Sequence, residues 1–506
     1  MHETDVRNSY IATQTFTPQG NLPEALPNAP RQDRELLLLD SDCVADLRGR
    51  VAHLAELCNR LTLAELGGLG AVLQRAQGNR RMRAAVVAAS PEQAATRFAD
   101  LLTALDRGAH DVVDVAGGVF LGEGTRQPRI GYLFPGQGSG KPDGDSALVR
   151  RFAVVRELHD TVRLPTVDDH TATIVAQPRI ALGSAAGLRV LSLLGVEAST
   201  AVGHSLGELV ALHWAGAMTE TELIALATAR GQVMAEASEG GGAMAGVSAG
   251  PEVVEQLLRG EPVVIACYNG PAQTVISGPA EAVERVRQAA AAQGLRTARV
   301  AVSHAFHSPA VEPAAVGLDR HLRDQRFKPL ARRVISTLTG DLLPADADLR
   351  QLLVRQLREP VRFSHAVGRM AATSDLFIEV GPGRVLSALS AKTAPEVPVV
   401  PLGTDGGSLS GVLSATAAAF ALGMPVRHER LFADRFAVLR TENDPDASPP
   451  PGPAVHRHWD GHVLRLPARG GLRRSQPRRQ RPPRQLHALA GPLPGDVPAG
   501  VRPGAT

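Results

Sequence analysis

Gly203-His204-Ser205-Leu206-Gly207-Glu208 stands between an apolar segment, Val196 to Val202, and an amphipathic run, Leu206 to Met218. That order predicts a strand, a sharp turn and a helix, with a serine at the turn. Glycine on either side lets strand and helix approach closely while the serine hydroxyl stands clear of the backbone. Ser205 is therefore a candidate nucleophile, with a structural turn as the alternative reading.

The five-residue pattern Gly-x-Ser-x-Gly carries little weight alone in a chain with 50 glycines among 506 residues. Two further copies occur, Gly246-Val247-Ser248-Ala249-Gly250 and Gly407-Ser408-Leu409-Ser410-Gly411. Ser248 precedes Gly250-Pro251-Glu252, where proline and an acid suit the first turn of a helix, so it reads as end-of-strand loop or cap. Ser410 opens an Ala-rich helical run, again a capping position. Ser205 differs in joining a strand directly to a helix, with a histidine beside it.

Outward from this turn the chain alternates strands and helices. A strand at Leu36–Leu39, helical patterns at 44–60 and 63–76, a strand at Ala84–Ala88 and a helix at 91–106 make a small α/β unit, closed by a loop at 121–128. Ile130–Phe134 is a second strand entering a turn, Pro135-Gly136-Gln137-Gly138-Ser139-Gly140. These glycines resemble a phosphate cradle, but no Gly-Lys-Ser/Thr and no immediate helix follow, so the loop is expected to present backbone N–H groups into a cleft. Residues 243–302 read as strand, helix, two strands, helix, strand, the order of a ferredoxin-like unit. Strands at Val334–Thr337 and Leu376–Val380 resume the outer alternation, the latter ending in Gly381-Pro382-Gly383.

Composition narrows the class. Cys43, Cys58 and Cys267 are far apart and lack metal-ligand spacing, as expected of reduced thiols in a cytoplasmic protein. The start of the chain lacks the pattern of a signal peptide, and no apolar run reaches membrane-spanning length. The formal charge of +3 is misleading. Residues 451–506 hold ten arginines and two aspartates and contribute +8, which leaves −5 on the first 450 residues. The tail is rich in Pro and Gly and poor in aromatic residues, so nucleic-acid binding is not expected. It reads either as a disordered basic tail or as a frame-shifted reading of GC-rich coding DNA, which would have this composition; resequencing across codons 445–455 tests the second expectation.

A serine nucleophile needs a base, and histidine is the usual one. His204 on the elbow would point away from Ser205. The better candidate lies in Ser303-His304-Ala305-Phe306-His307-Ser308-Pro309, after a strand end and before a proline turn. Here the residues carry a resemblance. Leu133-Phe134-Pro135-Gly136-Gln137-Gly138, Gly203 to Glu208, Arg230-Gly231-Gln232-Val233-Met234, Val275-Ile276-Ser277-Gly278, His304-Ala305-Phe306-His307 and Glu379-Val380-Gly381-Pro382-Gly383 occur in this order. The set resembles the malonyl-CoA:acyl-carrier-protein transacylase family, in particular the acyltransferase domains of modular type I polyketide synthases with their preceding linker domain. It covers roughly residues 35–430.

The resemblance implies an α/β fold: an α/β-hydrolase-like large subdomain, 127–235 with 303–430, and an inserted ferredoxin-like small subdomain, 236–302. A small α/β linker domain, 34–126, precedes them; 1–33 and 431–506 are an irregular segment and a basic tail. It implies Ser205 as the acylated nucleophile, His307 as its base, and the backbone N–H groups of Gln137 and Leu206 as oxyanion donors. Arg230 would bind the free carboxylate of a dicarboxylic acyl group, a two-point contact that suits guanidinium. His204, Asn269, His304 and Phe306 complete the implied substrate site, Phe306 leaving little room for an α-methyl. A carbonyl in Glu359-Pro360-Val361-Arg362-Phe363, at a strand edge near Arg362, would orient the histidine in place of an acid.

The implied cycle moves malonyl from malonyl-CoA to Ser205 and then to the phosphopantetheine of an acyl carrier protein, with no metal or bound cofactor. A ketosynthase or larger synthase is a possible further partner, so the chain reads either as a discrete enzyme or as a piece of a synthase. Between Gly140 and Thr171 the match is loose and short. A serine hydrolase would share Ser205 and a histidine but have no use for Arg230; a non-catalytic module would need none of these residues.

Overall fold

The computed structural model describes residues 32–140, 146–165, 172–237, 241–300, 302 and 304–432. The N-terminal segment before 32 and the basic tail after 432, with the reading-frame expectation attached to it, lie outside the described residues.

Four strands open the described chain: β1 (Glu35–Ser41), β2 (Met82–Ala88), β3 (Val112–Asp114) and β4 (Val119–Glu123). They pair antiparallel in the order β1-β2-β4-β3. The helix Leu63–Arg75 starts at a capping box in which Thr62 and Glu65 satisfy each other's backbone N–H groups. The helix Pro91–Asp106 starts with the Ser90 side chain accepting from Gln93 N–H and proline in the first turn. Strand alternation sends Leu37, Leu39, Ala84 and Val86 toward this unit's own helices. Leu36, Leu38, Ala85 and Val87 join the main core instead. The sheet is thus covered on both faces, the second by the helix Ser410–Ala421. Where the sequence predicts a loop from residue 121, β4 runs through Glu123, because Phe120 and Leu121 each fill a different one of these two cores.

The chain continues through β5 (Ile130–Phe134) and β6 (Thr200–Gly203), then a unit of β7 (Gly242–Val247), β8 (Val264–Gly270), β9 (Gln273–Pro279) and β10 (Thr297–Arg299). It returns as β11 (Arg333–Ile335), β12 (Leu376–Glu379) and β13 (Val399–Pro401). The central sheet is wholly parallel in the order β11-β6-β5-β12-β13. Its strands are apolar almost throughout, as burial of both faces under helices requires. Strand order turns back beside β5, between β6 and β12. In open parallel sheets the crevice outside the carboxyl ends at such a point is where ligands bind. Three turns end there: 135–140 after β5, the Ser205 elbow after β6, and Gly381-Pro382-Gly383 after β12.

The inserted unit pairs antiparallel in the order β10-β7-β9-β8. With helices Pro251–Leu257 and Ala280–Ala292, this is the ferredoxin-like arrangement. β10 ends at Arg299, three residues short of the expected strand end. Ala243, Ala245 and Val247 pack on the unit's helices, while Met244, Ala266, Cys267 and Val275 face the main core. β8 is stitched to the core by Tyr268 N–H to the Val361 carbonyl at 2.8 Å and Val361 N–H to the Ala266 carbonyl at 2.9 Å.

Candidate active site

Ser205 sits at φ 50°, ψ −112°, immediately before the helix Leu206–Trp214. A non-glycine residue there stores strain, which persists only where the surroundings enforce it. The glycines do the enforcing. A Cβ on Gly203 would lie 2.2 Å from the Gly207 carbonyl carbon, and one on Gly207 would lie 2.0 Å from the Phe134 carbonyl oxygen. A larger residue at 203 would push the elbow helix off β6, and one at 207 would push it off β5. The decoys are structural: Ser248 follows β7, and Ser410 lies in the first turn of its helix, donating its N–H to Ser408 Oγ at 3.1 Å. That corrects the expected cap, since Ser408, not Ser410, supplies the side-chain acceptor.

His307 approaches from the loop after the inserted unit, also at positive φ, 56°. Its Nε2 lies 2.9 Å from Ser205 Oγ. Nδ1 lies 3.0 Å from the Gln356 carbonyl and 3.1 Å from that of Glu359. Carbonyls only accept, so Nδ1 carries the proton and Nε2 is left to take the one from Ser205. The orienting group is a carbonyl and not an acid, as expected: one carbonyl, that of Glu359, belongs to the expected stretch Glu359–Phe363, whose Val361 bridges the edge of β8, and the second, that of Gln356, comes from the end of the helix Leu349–Gln356. The last carbonyls of a helix have no partner within it and are free for this use. Arg362 immediately precedes the next helix, Phe363–Ala371, with its N–H bonded to the Thr337 carbonyl. Burial, and then the charges of Arg230 and His204, pull the His307 pKa down to about 3, so the ring is neutral at physiological pH.

Arg230, on the helix Glu220–Glu236, is 1% exposed. Its Nη2 donates to Ser205 Oγ at 3.3 Å and to Gln356 Oε1 at 3.2 Å, and Nη1 donates to Gln177 Oε1 at 2.8 Å. The buried Nε–H has no partner. Burial lowers the pKa of the guanidinium to about 10, opposed by Glu208, so it stays cationic at neutral pH. A buried fork of N–H groups with neutral partners, one donor unsatisfied and Ser205 Oγ at its edge, fits a carboxylate on the acyl group.

Leu206 is the first residue of its helix, so its N–H has no acceptor inside that helix and points toward the elbow. Gln137 lies on the turn after β5; its side chain donates to Thr173 Oγ1 at 3.0 Å and accepts from Gln177 Nε2 at 3.2 Å. His204 turns away from Ser205 as expected and pairs its Nε2 with Asn269 Oδ1 at 2.9 Å, joining the elbow to β8. His304 and Phe306 meet edge to face at 5.3 Å, and His304 Nδ1 is buried without a partner. A cleft of about 380 Å³ opens between the inserted unit and the core, with His307 and Tyr268 in its lining.

Three residues of this cluster escape the sequence reading: Gln177, Gln356 and Glu208. Glu208 belongs to the elbow hexapeptide, but nothing in the pattern marks it as more than a helix residue. The glutamines carry no spacing signal; only their burial beside Arg230 reveals them. Among the described residues no group of three or more His, Cys, Asp or Glu could hold a metal ion, and no helix is long and apolar enough to cross a membrane.

A family model described as the acyl transferase domain matches residues 146–424. The chain is 35% identical over 295 residues to polyketide synthase GfsB of Streptomyces halstedii, a match covering 54% of this chain but only 5% of the synthase. It is 34% identical over 285 residues to the malonyl CoA-acyl carrier protein transacylase of Bacillus subtilis, covering 52% of this chain and 90% of that protein. The crystal structure of the acyltransferase domain of an iterative polyketide synthase of enediyne biosynthesis superposes with a TM-score of 0.68 at 36% identity, covering 78% of this chain and 97% of that one.

Proposed function

The chain belongs to the acyltransferase domain family, and from that premise we propose that it takes a malonyl unit from coenzyme A onto Ser205 and passes it to the phosphopantetheine thiol of an acyl carrier protein. The polyketide synthases it resembles suggest chain assembly as the setting. The supporting observation is that Ser205 Oγ lies 2.9 Å from His307 Nε2 and 3.3 Å from Arg230 Nη2. One hydroxyl is in reach of both a neutral base and a buried cation. A hydrolase needs the first and not the second.

In the acylation half, His307 Nε2 takes the Ser205 proton as Oγ attacks the thioester carbonyl. The N–H groups of Gln137 and Leu206 meet the oxyanion, a contribution often worth a few kcal/mol of barrier. Collapse expels the coenzyme A thiolate, which takes the proton back from His307. The second half mirrors the first. His307 removes the proton of the pantetheine thiol, the thiolate attacks the serine ester, and Ser205 leaves with that proton. Thioester, ester and thioester succeed one another with no change of oxidation state, so no metal or redox cofactor is called for. Arg230 holds the acyl carboxylate throughout, which places the carbonyl over Oγ.

Intact-protein mass spectrometry after incubation with malonyl-, methylmalonyl- and acetyl-CoA tests this. The expected result is one malonyl adduct, absent from Ser205→Ala and discharged onto an added carrier protein. Steady release of free malonate without transfer would indicate a hydrolase, and no adduct from any thioester would indicate a non-catalytic module.

A further inference from the structure

Gln356 is 2% exposed and touches four parts of the site at once. Its Nε2 donates to the Ser205 carbonyl and to Glu208 Oε2, each at 2.8 Å. Its Oε1 accepts from Arg230 Nη2 at 3.2 Å, and its main-chain carbonyl accepts from His307 Nδ1 at 3.0 Å. Glu208 is wholly buried on the first turn of the elbow helix. Thr337 also donates to Glu208 Oε2, at 3.5 Å, and to the Gly203 carbonyl at 2.9 Å.

This pattern leaves the amide one orientation. Turned over, it would set its NH₂ against a guanidinium and its oxygen against a carboxylate and a carbonyl, which is repulsive on both sides. Glu208 and the Ser205 carbonyl therefore fix the amide from one side, and the amide oxygen in turn holds Arg230. Glu208 is the carboxyl group nearest this network, its pKa raised by burial, whereas the direct partners of the guanidinium, Gln177 Oε1, Gln356 Oε1 and Ser205 Oγ, are all neutral. Because that carboxyl group acts through an intervening amide, the Arg230 fork is not closed by a protein carboxylate.

We infer that the Gln356 side chain, oriented by Glu208, is a positioning residue that holds the Arg230 fork in register with Ser205 and so sets the preference for acyl groups bearing a carboxylate. This rests on the carboxylate role proposed for Arg230. It concerns the side chain alone; the main-chain carbonyl that orients His307 survives any substitution at 356.

The test compares rates of Ser205 loading from malonyl-CoA and acetyl-CoA in wild type, Gln356→Met and Arg230→Leu. A charge-assisted hydrogen bond that aims a cation is worth enough for the malonyl-to-acetyl ratio to fall about tenfold in Gln356→Met. A purely scaffolding role would lower both rates alike and leave the ratio unchanged, which overturns the inference. If Gln356→Met does not fold, Glu208→Gln serves: it keeps an oxygen acceptor for the amide but adds a competing NH₂ in place of the carboxyl group, loosening the amide on that side, and the ratio should fall about threefold. An unchanged ratio there overturns the inference equally. If Arg230→Leu leaves the ratio intact, the carboxylate role itself fails; if it collapses the ratio while Gln356→Met does not, only the positioning role fails.

Discussion

Acidification should leave the chemical step of loading almost untouched while it destabilises the fold. A histidine base with the ordinary pKa of 6.5 would lose about nine-tenths of its neutral form between pH 7.5 and 5.5, and the loading rate would fall roughly tenfold. His307 lies at about 3, pulled down by burial first and by the Arg230 and His204 charges after it. It therefore stays neutral across that interval, and an acyl carboxylate stays ionised. Rapid-quench measurement of Ser205 loading from malonyl-CoA should give a flat profile over pH 5.5–7.5. The stability consequence has the opposite look. A depressed pKa means the unfolded chain binds this proton before the folded chain does. Stability then falls as pH drops below 6.5, by about 1.4 kcal/mol per unit, and has lost about 2 kcal/mol by pH 5. Below about 3 the folded state takes the proton too and the loss stops growing. Urea unfolding at pH 7.5 and pH 5 should show this difference in wild type and a correspondingly smaller one in His307→Gln. An inflection in the loading rate near 6.5, or equal pH slopes of stability in the two proteins, would refute the electrostatic reasoning.

Phe306 is buried beside His307 and the His304 ring. Phe306→Ala should raise loading from methylmalonyl-CoA relative to malonyl-CoA by about tenfold, since a methyl group in a pocket is worth about 1–3 kcal/mol; competition between the two thioesters, read by mass, checks it. Glu379, the last residue of β12, is wholly buried and accepts from the N–H groups of Leu386 and Ser387 and from Ser387 Oγ at 2.7–3.0 Å. Glu379→Ala should cost about 2–3 kcal/mol in urea unfolding by uncapping the helix Val385–Thr393, and a loss under about 1 kcal/mol would show that water replaces the carboxylate there.

The parts of this molecule legible in the sequence are those in which local pattern and tertiary role coincide. The elbow is one. Gly203 and Gly207 are required by the 2.2 Å and 2.0 Å approaches of any added Cβ, and glycine at both positions is visible in the letters. The ferredoxin-like unit is another, because β7, β8 and β9 divide their side chains between the unit's own helices and the main core. β4 was hidden for a related reason. Its first three residues, Val119, Phe120 and Leu121, carry apolar side chains on both faces, so the period of two that marks a half-exposed strand is lost. In the site, Ser205, Arg230 and His307 each stand in a distinctive stretch, and the structure brings all three to one hydroxyl. Gln177 and Gln356 stand in unremarked helical runs. Their polarity has meaning only because folding buries them, and burial of a single polar residue leaves no mark in its sequence neighbours.

The absence of an acid behind His307 has a physical reason within the proposed chemistry. A carboxylate at Nδ1 would raise the basicity of the ring, which Arg230 and burial depress. Yet any carboxylate placed in this buried space would also be the natural partner of Arg230, and would compete with the acyl group for it. The two carbonyls orient the ring without that competition, and the one buried carboxylate in the network, Glu208, is separated from Arg230 by the Gln356 amide. Gln356→Glu should therefore turn a positioning group into a rival ligand. The new carboxylate would lie against Arg230 Nη2, and burial, which already raises the pKa of Glu208, would let Glu208 hold a proton between the two acids. Malonyl loading should fall by about a hundredfold, the scale of a charge-assisted hydrogen bond that an internal competitor takes over. Acetyl loading, which makes no use of the fork, should change by less than about threefold. Parallel losses in the two rates would mean that Arg230 is not where malonyl and acetyl are told apart.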